Sequence, residues 1–193
     1  MGSLSESKQS SAIAARTAIA GVAESAQYLT FILAGEVYAL GILNIKEIIQ
    51  YGDLTEVPMM PNFIRGVINL RGKVVPVVDL TARFGRGVTA VARRTSIVII
   101  EMLQADGDEV QSLGVMVDAV NEVVDIAAAD IEPPPAFGAR IRPDFISGMA
   151  RRGGRFIIVL NLAQVLSLEE MSAFGSSLIG GDAHAATELE HGE

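Results

Sequence analysis

The sequence predicts a mainly β protein: two small barrels of about five strands each, packed together and carrying short helices. Two observations carry that prediction. Short β-branched runs are separated by glycine-marked turns, and one long motif occurs twice. Phe63–Phe84 reads as a strand, a tight turn at Arg71-Gly72, a second strand and a short helix, and Phe145–Leu166 repeats it without a gap. Phe63, Ile64 and Gly66 recur as Phe145, Ile146 and Gly148; Gly72, Val77 and Leu80 recur as Gly154, Val159 and Leu162. Upstream, Leu40-Gly41 matches Leu113-Gly114, and Lys46-Glu47-Ile48-Ile49 matches Asn121-Glu122-Val123-Val124. A unit of about 70 residues has a marginal core alone, so the two should pack together and leave a groove at their junction.

Composition narrows the function. Of 193 residues, 50% are hydrophobic, enough for a real core. No apolar run approaches the roughly 18 residues of a membrane span, and the N-terminus lacks a signal-peptide pattern. Cysteine is absent, which removes disulfides, thiolate catalysis and Cys-type metal sites and fits a cytoplasmic location. A net charge of −8 and 5% aromatic residues argue against nucleic-acid binding.

In chain order, residues 1–26 are rich in Ser and Ala and read as a flexible extension. Tyr28–Leu33 and Val37–Ile42 read as strands joined by a hairpin at Ala34-Gly35-Glu36. Ile45, Ile48 and Ile49 fit either a helical turn or the start of a curved strand. Glu56–Asn62, with two prolines, delivers the chain to Phe63. In the central motif, Val74–Val78 should be a largely buried strand whose Pro76 belongs beside an unpaired position, and Asp79 stands at a helix N-cap. Ser96–Leu103 and Leu113–Val117 form a second strand pair about the turn Ala105–Asp108, and Val120–Ile126 is a further strand. Pro133-Pro134-Pro135 marks a connection to the repeated motif, where Asn161 replaces Asp79 as the cap. A short helix near Ser167–Phe174 and a mobile tail over 172–193 complete the reading. The domain spans 27–171, with barrels near 27–85 and 94–167 and exchange of their ends left open.

No catalytic constellation stands out. His184 and His191 lie in the tail, phosphate-loop patterns are absent, and Asp53, Asp79, Asp118 and Asp125 are scattered over turns, caps and strand edges. Arg152-Gly153-Gly154-Arg155 superficially suggests a phosphate site, but it occupies the hairpin position of the repeat and reads better as a solvated turn. The sequence therefore points to no catalytic, cofactor or metal residues. Arg71 is different: its planar fork can bind a carboxylate, and Glu47 is the candidate partner. An ordinary exposed arginine is the equal alternative.

GVINLRGKVVPVVDL at Gly66–Leu80, LNIKEII at Leu43–Ile49, LGVMVDAVNEVVDI at Leu113–Ile126, and FISG followed by VLNLAQVL together resemble the CheW family of chemotaxis coupling proteins. The resemblance runs from Gln27 to Met171. It implies two SH3-like barrels and a non-enzymatic cytoplasmic adaptor without nucleic-acid binding or membrane insertion. The implied partners are the regulatory domain of a CheA-type histidine kinase and the helical-hairpin tip of chemoreceptors, the latter in the inter-barrel groove, within receptor arrays that include self-association. Carried over by position, the partner-binding or groove-shaping residues are Ile45, Glu47, Gly66, Asn69 and Arg71. Between direct contact and groove shaping by a Glu47–Arg71 salt bridge, the physical reading favours shaping. Alternatives are a CheW-type adaptor of gliding or pilus motility, or a small-barrel ligand binder or enzyme.

Overall fold

The computed structural model describes residues 25–103, 110–134 and 141–167. The predicted N-terminal extension lies outside them except for Ser25 and Ala26, which instead open the first strand, paired with Ala127 and Ile126. The Ala105–Asp108 turn, both histidines and the tail beyond Ser167 lie outside as well, as does most of the predicted helix at Ser167–Phe174. Ten strands form two five-stranded sheets. One holds β1 (Ser25–Leu33), β2 (Glu36–Gly41), β8 (Ala119–Ala127), β9 (Ile146–Arg152) and β10 (Arg155–Leu160), in the order β8-β1-β2-β10-β9. The other holds β3 (Ile45–Gln50), β4 (Ile64–Leu70), β5 (Lys73–Asp79), β6 (Ser96–Leu103) and β7 (Val110–Val117), in the order β3-β6-β7-β5-β4.

The two orders are one topology written twice. The repeat makes β1–β5 one unit and β6–β10 the other, yet each sheet takes its leading hairpin from one unit and its last three strands from the other. The hairpins enter by short parallel ladders: Val37–Ala39 lies beside Ile157–Val159, and Gly114–Met116 beside Val77–Asp79. Because Val77 and Val159 are repeat partners, Gly114 is the counterpart of Ala39. The match of Leu40-Gly41 to Leu113-Gly114 is therefore out by two residues. A slip of two keeps every side chain on its own face, so hydrophobic alternation alone cannot detect it.

The segment that sequence periodicity left open is strand β3. Its Ile45, Glu47 and Ile49 turn toward the interior, while Lys46, Ile48 and Gln50 face out. Each barrel then closes with one bridge: Thr55 to Val67 of β4, and Glu132 to Met149 of β9. The same bridge explains Pro76. Val67 spends both backbone groups on Thr55, so its cross-strand neighbour Pro76 sits in a non-hydrogen-bonded pair. The missing N–H points instead toward β7, whose ladder with β5 starts only at Val77.

Each barrel has an apolar interior, Val124, Ile126, Ala150, Ile157 and Val159 in one and Ile68, Val75, Val77, Ile97, Ile99 and Met116 in the other. A larger core lies between them, where Phe31, Tyr38 and Leu40 meet Leu80, Phe84, Val98, Phe145 and Leu166. Two one-turn helices cap this junction, α1 (Leu80–Arg83) and α2 (Leu162–Val165). They meet through Arg83, whose Nε donates to Val165 O at 2.9 Å. Its guanidinium lies 4.9 Å from the ring of Phe63 and 5.0 Å from that of the repeat partner Phe145.

Candidate functional site

The five residues singled out from the sequence all belong to the barrel built on β3, β4 and β5, but only some converge. Arg71 and Gly72 form the two-residue turn of the β4–β5 hairpin, both left-handed, at φ 52 and 83. Asn69 holds this turn from within: its Oδ1 accepts a 2.8 Å bond from Gly72 N–H. The turn aims Arg71 at β3, where Nη2 donates to Glu47 Oε2 at 3.1 Å. Arg71 remains 76% exposed, so the contact is worth no more than about 1 kcal/mol. Glu47 is more enclosed, and its second oxygen, Oε1, is buried without a hydrogen-bond partner. Ile45, two residues earlier on the same face, packs against the central core.

Gly66 does something else. Its φ of 143 is open to glycine alone, and a Cβ there would collide with Thr55 O and the Leu54 side chain. The close backbone approach is thus by the chain's own closing segment. Gly148 stands at the equivalent closure, its space filled by Ile131 Cγ2 and Glu132 O.

Exposed apolar side chains occur on the elements that carry the Glu47–Arg71 pair, Ile48 on the face of β3 opposite Glu47. Leu43, in the 3-10 turn Ile42–Asn44, is 97% exposed, and Ile48 and Val74 also face solvent. Their repeat counterparts Val123 and Phe156, for Ile48 and Val74 respectively, are exposed too.

Several polar contacts had weak sequence signals or none. Asp79 is the predicted cap, accepting from Thr81 N and Ala82 N, but it is completely buried and also accepts from Thr89 N at 2.8 Å and Thr89 Oγ1 at 2.7 Å. Its carboxylate therefore pins the segment after α1 to the end of β5. Nearby, Arg86 donates to Glu36 Oε2 at 2.7 Å, which also accepts from Tyr38 OH at 2.9 Å, tying that segment to β2 of the opposite sheet. Burial, reinforced by the bond to Glu36, pushes the Tyr38 phenol up to about 12, and the Glu36 carboxylate raises Arg86 further. Among the described residues no group of three His, Cys, Asp or Glu side chains is placed to hold a metal, and no helix is long and apolar enough to cross a membrane.

Two interlocked five-stranded barrels define an all-β fold. The chain belongs to the CheW family: the CheW-like domain matches residues 27–170. It is 31% identical over 154 residues to the chemotaxis protein CheW of Klebsiella aerogenes, covering 80% of this chain and 89% of that protein. Protein FrzA of Myxococcus xanthus is 32% identical over 132 residues, covering 67% and 78%. The crystal structure of the scaffolding protein TtCheW from Thermoanaerobacter tengcongensis superposes with a TM-score of 0.65 at 37% identity, covering 74% of this chain and 88% of that one. The chain is thus an adaptor of the chemotaxis-signalling family.

Proposed function

We propose that the protein is a non-catalytic cytoplasmic adaptor joining the cytoplasmic tips of chemoreceptors to the regulatory domain of a CheA-type histidine kinase, recruited to receptor arrays. The observation that carries this is the Glu47–Arg71 pair. It holds the β4–β5 hairpin tip against β3, with one Glu47 carboxylate oxygen still unpaired, while Leu43 just ahead of that strand and Ile48 on its outer face are exposed apolar side chains. Helix-in-groove recognition needs such a surface: apolar anchors plus a few polar groups that fix register. Arg71 and Glu47 act by shaping it, Asn69 fixes the turn that presents Arg71, Ile45 seats β3 on the core, and Gly66 lets the barrel close.

The similarity to FrzA favours a second reading of the pathway, in which the same adaptor serves a receptor system other than flagellar chemotaxis. A pull-down with the cognate kinase regulatory domain and receptor tips tests the adaptor role. Capture of both at micromolar concentration is expected, and failure to bind either overturns it. Arg71→Ala should weaken ternary-complex assembly; unchanged assembly would remove Arg71 from the site.

A further inference from the structure

The two short helices are repeat partners, but they are held in different ways. α1 starts from the buried Asp79, whose carboxylate accepts from Thr81 N and Ala82 N within the helix and from Thr89 N and Oγ1 beyond it. α2 starts from Asn161, which accepts one bond of 3.4 Å from Gln164 N. Within α2, Val165 N donates to Asn161 O and Leu166 N to Leu162 O, both at 2.9 Å. A single turn is not a stable helix by itself, because nucleation costs more than its first bonds return. What seats α2 is burial: Val165 and Leu166 are fully enclosed in the core between the barrels.

A polar tie to that seat comes from the first unit. Arg83 is the repeat counterpart of Val165, at the same offset that pairs Phe63 with Phe145. The two equivalent positions touch. Arg83 Nε donates to Val165 O at 2.9 Å, satisfying a carbonyl that the helix end leaves free. Two rings flank the guanidinium, Phe63 at 4.9 Å and Phe145 at 5.0 Å, and these are repeat partners as well. Phe145 O in turn accepts from Asn161 N at 2.8 Å, at the residue that opens α2. The fork therefore grips the last carbonyl of α2 and lies against the residue that anchors its start.

We propose that α2 is a latch over the inter-barrel core, fastened by Arg83, which opens locally while both barrels stay folded. Opening frees Val165 and Leu166 and uncovers the core beneath them, and the contacts of Arg83 set how often this happens. Two buried side chains and one charged hydrogen bond are less than any strand of the ladders must break, so the latch opens before the fold does. The inference does not depend on the adaptor role.

Native-state hydrogen exchange on the full chain tests this. It compares the amides of Val165 and Leu166, whose acceptors lie within α2, with those protected in the β6–β7 ladder. In low urea the α2 amides should exchange at a rate almost independent of denaturant, because little surface is exposed, while ladder exchange rises steeply. Arg83→Met removes the fork and keeps an unbranched apolar chain. It should speed the α2 amides about 10- to 100-fold, the effect of losing a hydrogen bond to a charged group. Val77→Ala, inside the other barrel, should speed the ladder amides about tenfold or more and leave those of α2 within about twofold. Because the chain has no cysteine, Val165→Cys supplies a single buried thiol whose labelling rate reads the same opening. Exchange of α2 that follows the ladder in urea and in Val77→Ala overturns the latch. A thiol that stays unreactive until global unfolding does the same. Exchange of α2 unchanged by Arg83→Met overturns the role of Arg83 as its fastener.

Discussion

The two repeated hairpins share a frame and differ in what they carry. β4–β5 turns through Arg71-Gly72 and β9–β10 through Gly153-Gly154, with the same left-handed pair of residues in each. Glycine adopts that geometry freely, whereas an arginine in the left-handed region costs about 1–2 kcal/mol. The first unit accepts that strain and gains a fork aimed at Glu47. The second unit has glycine at both turn positions and arginines at the flanking positions, where among the described residues no carboxylate meets them. The frame is common to both units, but only the first aims an arginine from its turn at a carboxylate of the neighbouring strand.

The caps show the same divergence and give the largest expected effect. Asn161 accepts one long bond, 3.4 Å from Gln164 N, whereas Asp79 is buried and serves Thr81, Ala82 and Thr89. Asp79→Ala strands several buried donors and should cost about 4 kcal/mol, read from the urea midpoint. Asn161→Ala should cost about 1 kcal/mol, as an ordinary cap does. Equal losses would mean that the Thr89 contacts add nothing to the cap.

The closing glycines come next. At Gly66 a Cβ meets backbone as well as Leu54, at a φ closed to alanine. Gly66→Ala should lose about 3 kcal/mol. At Gly148 the backbone is not left-handed, but a Cβ would still meet Ile131 Cγ2 and the backbone oxygen of Glu132, so Gly148→Ala should lose about 2 kcal/mol, less than Gly66→Ala by the strain of φ.

How much of this the sequence disclosed follows from the range of the interactions. Strands, turns, both caps and the repeat are local patterns, and residues within a few positions of each other determine them. The exchange of hairpins between units is not local. Nothing within Tyr28–Gly41 says that it will pair with Val123 and Ile158 rather than with Ile48. The two-residue error at Ala39 and Gly114 has the same source, since either register buries the same face. The Glu47–Arg71 contact was accessible because an arginine in a turn invites a partner from the same unit. Thr89 on Asp79 was not, because a cap predicts its own helix and gives no hint of a donor from the following loop.

The central core offers a pH-dependent test of the repeat. Tyr38 stands where the other unit has Leu113, and its phenol is pushed up to about 12 by burial. The native state thus holds a proton that the unfolded chain releases near pH 10. Stability from this group is complete below pH 10 and is lost as the pH rises toward 12, by roughly 2–3 kcal/mol. Tyr38→Phe should flatten that fall in denaturation midpoints between about pH 10 and pH 12. A slope unchanged by the substitution would place the alkaline sensitivity elsewhere.

The smallest stability effect is the most informative about the hairpins. Arg71→Gly makes the first turn resemble the second. It relieves left-handed strain, loses an exposed ion pair, and increases the freedom of the unfolded chain. These terms oppose one another at about 1 kcal/mol each, so the denaturation midpoint should barely move. Glu47 would nevertheless be left with neither oxygen paired by an arginine, and the hairpin would lose its tie to β3. Ternary-complex assembly with kinase domain and receptor tip should therefore fall in a variant as stable as the parent. Were stability to fall by the same factor as assembly, the pair would be an ordinary contribution to folding, and the strained arginine would have no role that the Gly153-Gly154 turn lacks.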